Sequence, residues 1–196
     1  MRGGAGFRVG TVRLGLERDG KGITAWGLSG VASAEIAGLP GFTVSPSDEP
    51  GEPHPNGALR IDHLVVMTPD LGRTASAMEA AGLDLRRVRN PEEPGPPARQ
   101  AFFRLGEVIL EVVERPDGVD GPRFWGLTFA VRDLDACAAL LGDVLGEVHD
   151  AVQPGRRIAT IRRQAGLGVP VALISRERDR RAQSPSDHAS TGWRER

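Results

Sequence analysis

The strongest constraint on the fold is that the chain states one pattern twice. Residues 60–67 (Arg-Ile-Asp-His-Leu-Val-Val-Met) form a strand-like run, and Pro69 and Asp70 then lead into Leu71, Ala75 and Met78 at the helical i, i+4, i+7 spacing, up to Gly82. A second copy opens with 124–131 (Phe-Trp-Gly-Leu-Thr-Phe-Ala-Val) and passes through Asp133 into a helix with Leu134, Ala138 and Leu141 on one face. Asp70-Leu71 and Asp133-Leu134 stand 63 residues apart. Three strands are expected after each helix: 83–89, 98–105 and 107–114 in the first copy, 147–152, 156–163 and 169–175 in the second. One βαβββ unit has a single helix for two sheet faces, so two units are expected to complete a curved mixed sheet around a shared cleft. The fold class is therefore α+β, with paired βαβββ modules at 58–121 and 122–175 forming one domain.

The flanks read differently. Val12, Leu14 and Leu16 alternate with Arg13, Gly15 and Glu17, and Asp19-Gly20 and Gly22 lead into 23–28, so residues 1–37 are expected to form an N-terminal β-hairpin arm. Residues 38–57 are rich in Pro and Gly, which neither sustain a helix nor donate a regular ladder, and read as a linker. Residues 176–196 offer little apolar surface beyond Trp193 and read as a disordered tail.

Composition closes several function classes. Twenty-five basic and 26 acidic side chains leave a formal charge of -1, which gives no electrostatic footprint for nucleic acid. No run approaches the roughly 18 apolar residues of a membrane span, and residues 1–10 lack the apolar stretch of a signal peptide. Cys137 is the sole cysteine, so no intrachain disulfide can form, and the cytoplasm is the expected compartment. There is no G-x-G-x-x-G after a strand, no phosphate-binding P-loop, no H-E-x-x-H and no G-x-S-x-G.

Three segments, 61–71 (IDHLVVMTPDL), 106–114 (GEVILEVVE) and 129–135 (FAVRDLD), resemble the vicinal oxygen chelate superfamily, the group of glyoxalases, bleomycin-resistance proteins and extradiol dioxygenases. The resemblance spans about 115 residues and implies the paired βαβββ fold. It also implies, in metal-dependent members, ligands on the first and last strands of each module, pointing into the cleft. His63 stands at the first-strand position, and strand alternation places it on one face with Ile61, Val65 and Met67. Glu111 stands on the last strand with Ile109 and Val113. Imidazole plus carboxylate suits Zn, Fe(II), Mn or Ni. The second module departs from this pattern: the counterpart of His63 is Gly126, and that of Glu111 is Ala172 or Leu173, none of which coordinates a metal through its side chain.

Each candidate has a plainer alternative. His63 on an apolar strand face also fits a half-buried histidine with its hydrogen bonds satisfied. Glu111 is either a metal ligand or a catalytic acid/base of raised pKa, because an ionised carboxylate in a cleft is costly unless paired. Arg156 and Arg157 could clamp a substrate carboxylate or phosphate, or serve as surface charge. Trp125 and Phe124 line the cleft or pack the seam between modules; His149 is a third polar group or a solvated strand residue; Cys137 reads as a small buried hydrophobe. The expected function is small-molecule handling with a degenerate metal site, by ligand binding or by metal-independent proton transfer through Glu111. No cofactor is expected beyond, at most, a weakly bound divalent metal. The alternatives are a divalent-metal-dependent lyase, isomerase or epimerase using His63 and Glu111, and a dimeric interaction module whose arm adds to a neighbour's sheet edge. The expected partner is a small molecule, with no nucleic acid and no membrane, and a homodimer stays open.

Overall fold

The computed structural model describes residues 5–17, 21–47, 49 and 51–176. Its strands and helices run in the order β1 (Gly6–Val9), β2 (Val12–Gly15), β3 (Trp26–Leu28), β4 (Gly41–Thr43), β5 (Ala58–Thr68), α1 (Leu71–Ala80), β6 (Asp84–Arg89), β7 (Gln100–Leu105), β8 (Val108–Glu114), β9 (Arg123–Val131), α2 (Leu134–Leu141), β10 (His149–Asp150), β11 (Arg157–Thr160) and β12 (Val171–Ser175). Eight of these strands form one mixed sheet in the order β10-β11-β12-β9-β5-β8-β7-β6. Each module contributes four adjacent strands, and the first strands of the two modules, β5 and β9, meet antiparallel at the centre. His63 pairs with Thr128, Leu64 with Leu127 and Val65 with Gly126. Moving each residue 63 positions along maps this ladder onto itself, so the sequence repeat is a pseudo-twofold axis passing by Leu64 and Leu127.

Both helices begin where the sequence provides a cap. Asp70 accepts a hydrogen bond from the backbone N–H of Arg73 (2.9 Å), and Asp133 accepts from those of Asp135 and Ala136 (3.0 Å each). Leu71, Thr74, Ala75 and Met78 form the buried stripe of α1, packed with Leu83, Ala101, Phe103, Val108, Leu110 and Val112. Leu134 and Cys137 of α2 pack with Val131, Ala159 and Leu173. Both clusters lie on the same side of the sheet, joined through Phe129. The opposite face carries the other member of each strand alternation and is left for the cleft.

The second module is the leaner copy. β10 keeps only two residues of the expected 147–152 strand, and β11 stops at Thr160 before a short helical turn at Arg163–Ala165. The N-terminal hairpin also differs from its expected geometry. It turns at Gly10-Thr11, where Gly10 has φ +60°, so Val9 closes the first strand, Val12–Gly15 is the second, and 9–17 is not one long strand. β3 instead pairs in parallel with β4, which lies inside the Pro/Gly-rich 38–57 segment. That segment still contributes to the core: Leu39 is fully buried with Trp26, Ile36, Ile61 and Leu64, and Trp26 stacks edge-on against Phe124 at 5.3 Å. The hairpin is pinned to its own first module by Thr11, whose N–H and hydroxyl both donate to Glu107 Oε1 (2.6 and 2.7 Å). Residues 18–20 and the tail beyond residue 176 lie outside the described residues. No helix among the described residues is long and apolar enough to cross a membrane.

Candidate functional site

The site begins with an irregularity in β5. Ile61 pairs with Phe129 and His63 with the very next residue back, Thr128, so Asp62 is one residue too many and forms a β-bulge. An earlier register shift lies between Ala58 and Arg60, and Ile61 then faces the helices, in the core with Leu64 and Val66. The bulge then presents Asp62 and His63 in succession to the cleft. The expected grouping of His63 with Ile61 is thereby corrected; His63 shares its face with Val65, Met67 and Asp62. Parallel pairing with β8 sets Ile109, Glu111 and Val113 alongside, and β7 adds Gln100 and Phe102, which pair with Val113 and Glu111.

Two polar chains converge on the His63–Glu111 pair, and in each the residue types fix where the protons are. On one side, Arg156 reaches Asp62 with both terminal nitrogens (2.8 and 3.3 Å) and donates its Nε–H to the Ser175 carbonyl (2.9 Å). Arg60 adds a second guanidinium at 3.0 Å from Asp62 Oδ1. Burial pushes the Asp62 carboxyl upward, but hydrogen bonds from His63 and Arg156, with their charges, outweigh it and hold the group far below the usual carboxylate range. An ionised carboxylate can only accept, so His63 Nδ1, 3.2 Å from Asp62 Oδ2, carries the hydrogen. In the neutral ring that leaves the lone pair on Nε2, which faces Glu111 Oε2 at 3.7 Å.

On the other side, Arg89 is 3% exposed, and its guanidinium donates to the carbonyls of Glu93, Pro94, Pro96 and Ala98, pinning the Pro-rich loop. Its Nε–H donates to Gln100 Oε1 at 2.5 Å. Arginine never accepts, so the Gln100 amide must turn its NH₂ the other way, where it donates to Glu111 Oε1. Glu111 Oε2 is left as the oxygen that faces His63. Burial raises the Glu111 carboxyl above its ordinary value, against the opposing charges of His63 and Arg89. Asp62, Arg89, Gln100 and Arg156 are all under 9% exposed, whereas the side chains of His63 and Glu111 keep 15% and 17%. A rigid, buried frame thus presents two titratable groups to the open face. This arrangement can bind a polar ligand and pass a proton between two positions.

The metal-ligand positions of both modules are also fixed by register. His63 maps onto Gly126 and Glu111 onto Ala172, which pairs with Thr128 as Glu111 pairs with Val65. A Cβ at Gly126 would lie 2.7 Å from the Pro170 carbonyl oxygen, so no side chain fits there without a shift of the backbone. Among the described residues, no group of three or more His, Cys, Asp or Glu is arranged to hold a metal ion. Of the four positions at which the resemblance implies ligands, two are held by glycine and alanine, which leaves His63 and Glu111 as the side chains there that could coordinate a divalent metal.

The remaining sequence candidates are placed as follows. Arg156 lies beside the site, but its guanidinium is consumed by Asp62 and Ser175. Arg157 pairs with Asp135 on the helix-bearing side (3.0 and 2.6 Å), away from the cleft. Trp125 is half-exposed at the irregularity where β9 carries an extra residue between the pairs Val65–Gly126 and Val66–Phe124. His149 is exposed on the outermost strand, and the buried Cys137 donates its S–H to the Asn56 carbonyl (2.6 Å). Sequence reasoning missed Asp62, Gln100 and Arg89. For Asp62 a signal existed: strict alternation would put its charge on the helix side with Leu64 and Val66, a placement costly enough to imply a bulge. Gln100 and Arg89 left no such trace.

No protein-family model and no curated protein matches the chain. Solved structures match its fold. A methylmalonyl-CoA epimerase from Mycobacterium tuberculosis aligns with a TM-score of 0.52 and 18% identity, over 67% of this chain and 96% of that one. A Streptomyces coelicolor methylmalonyl-CoA epimerase in complex with 2-nitronate-propionyl-CoA aligns at 25% identity, with a TM-score of 0.48, over 60% and 97% of the two chains. The likeness is one of architecture, and the chain has the paired βαβββ fold of the vicinal oxygen chelate superfamily.

Proposed function

We propose that this protein binds a small molecule in the cleft and moves a proton on it through Glu111 and His63 without a resident divalent metal. The observation that carries this reading is the Glu111 carboxyl. It is raised by burial, has one oxygen fixed by Gln100, and turns the other to His63 Nε2 at 3.7 Å. A carboxyl shifted toward neutral pH is a better general acid/base than an ordinary one, and such groups contribute about 10²–10⁴-fold to proton transfer. Asp62 is the positioning residue: by accepting from Nδ1 it keeps the His63 lone pair on the reacting side. The fold shared with a methylmalonyl-CoA epimerase supports carbon acids as the substrate class, and a single buried thiol agrees with a reducing, cytoplasmic setting. The metal-dependent lyase, isomerase or epimerase alternative needs ligands that Gly126 and Ala172 do not supply. The test is solvent deuterium uptake, by NMR, into a panel of carbon acids that includes methylmalonyl-CoA, other acyl thioesters and 2-hydroxy ketones. Glu111→Gln should lose at least 10²-fold of any enzyme-dependent exchange. Exchange unchanged in that variant would refute the role of Glu111.

A further inference from the structure

At the end of the sheet where β5 begins and β9 and β12 finish lies a cavity of about 720 Å³ lined by Leu59, Arg60, Ala130, Arg132 and Arg176. Three of its five lining residues are arginines. Arg60 is half-buried and already rests on Asp62, but that carboxylate is shared with Arg156, so the three-residue cluster retains an excess positive charge. Among the described residues, Arg132 and Arg176 are exposed and make no ion pair. For Arg132 the nearest acidic neighbour in sequence, Asp133, turns its carboxylate to the first backbone N–H groups of α2, and Glu177, next to Arg176, lies outside the described residues. Guanidinium groups gathered around a concave, partly apolar floor favour phosphate or carboxylate oxygens, which they meet in forked pairs. The volume lies in the range of organic ligand sites and well above what one inorganic anion fills.

We infer that this cavity is the seat for the anionic group, phosphate or carboxylate, of a small organic ligand. The cavity adjoins the site through one of its lining residues: Arg60 touches Asp62 Oδ1, and the other oxygen of Asp62 holds His63. The inference extends the proposed function by naming the ligand class, yet anion capture itself does not require Glu111. Isothermal titration of the full chain at low salt with inorganic pyrophosphate and, separately, with succinate tests it and distinguishes the two anion chemistries. Saturable binding of either probe, at one site per chain, is expected. The double variant Arg132→Gln/Arg176→Gln should weaken it at least tenfold. Arg73→Gln, an exposed arginine on α1 outside the cavity, and Glu111→Gln should each leave it within twofold. Both cavity substitutions are at exposed positions, and a thermal midpoint near wild type checks that the fold is retained. No saturable binding of either anion, or binding unchanged in the double variant, overturns the inference. Loss of deuterium exchange in Glu111→Gln with anion binding intact separates this seat from the proton-transfer chemistry.

Discussion

Removing the Asp62 carboxylate tests the frame on which the site depends. Asp62 is 4% exposed and Arg156 8%, joined by two hydrogen bonds at 2.8 and 3.3 Å. Deleting one partner of a buried pair leaves the other charge without compensation, a loss of about 3–5 kcal/mol. Arg60, a third exposed, can turn to water and adds little. Asp62→Asn keeps one amide oxygen for Arg156 and belongs at the lower end, about 3 kcal/mol, whereas Asp62→Ala belongs near 5 kcal/mol. For a domain of this size each kcal/mol moves the thermal midpoint by roughly 2–4 °C, so the expected drops are about 6–12 °C and about 10–20 °C. Because the folded Asp62 carboxyl lies far below its ordinary 3.8, its contribution is fully present above that pH and is lost as pH falls below it. The gap between wild type and Asp62→Asn in urea unfolding should therefore be constant from pH 7 to about 4 and narrow in stronger acid. The double variant Asp62→Leu/Arg156→Met, which replaces the pair by apolar groups, should recover most of the loss. An Asp62→Ala protein within about 1 kcal/mol of wild type at pH 7 would refute the burial argument.

Three further outcomes follow from the same geometry. Glu111 has a raised carboxyl, so the stability tied to its protonated form is complete below its ordinary 4.5 and lost as pH rises through the raised value; Glu111→Gln should match wild type at pH 4 and exceed it in urea midpoint at pH 8. Arg89→Met removes the donor that orders the 90–98 loop and orients Gln100; it should cost about 3 kcal/mol and speed proteolysis within that loop, and equal proteolysis would contradict the pinning. Gly126→Ala puts a methyl 2.7 Å from the Pro170 oxygen and should cost about 1–3 kcal/mol in denaturant unfolding.

What the sequence disclosed was whatever periodicity and caps encode. The repeat around Asp70 and Asp133, the two helices, and the strands of the first module follow from alternation and N-cap chemistry, because in these segments local preference and burial agree. The second module was less legible: Gly126, Gly142 and Gly146 and the short β10 leave little pattern to read. The 38–57 segment was harder to read for a related reason. Its Pro and Gly content describes the backbone's freedom, but the burial of Leu39 and Trp26 is decided by the first module's surface. At the site, His63 and Glu111 were accessible to pattern reading, since each is a polar residue on an apolar strand. Their partners were not: Asp62 reaches the cleft through a bulge, and Gln100 and Arg89 come from strands whose register only the folded sheet fixes.

The central claim is that His63 and Glu111 act as a proton-handling pair and not as half of a metal centre. Elemental analysis of the protein, purified without added metal and again after saturation with Zn, Mn, Co or Ni followed by desalting, tests it most directly. The account predicts well below one ion per chain in both preparations, because Gly126 and Ala172 stand where two further ligands would be needed. One ion per chain that survives desalting, and is lost in both His63→Gln and Glu111→Gln, would contradict it.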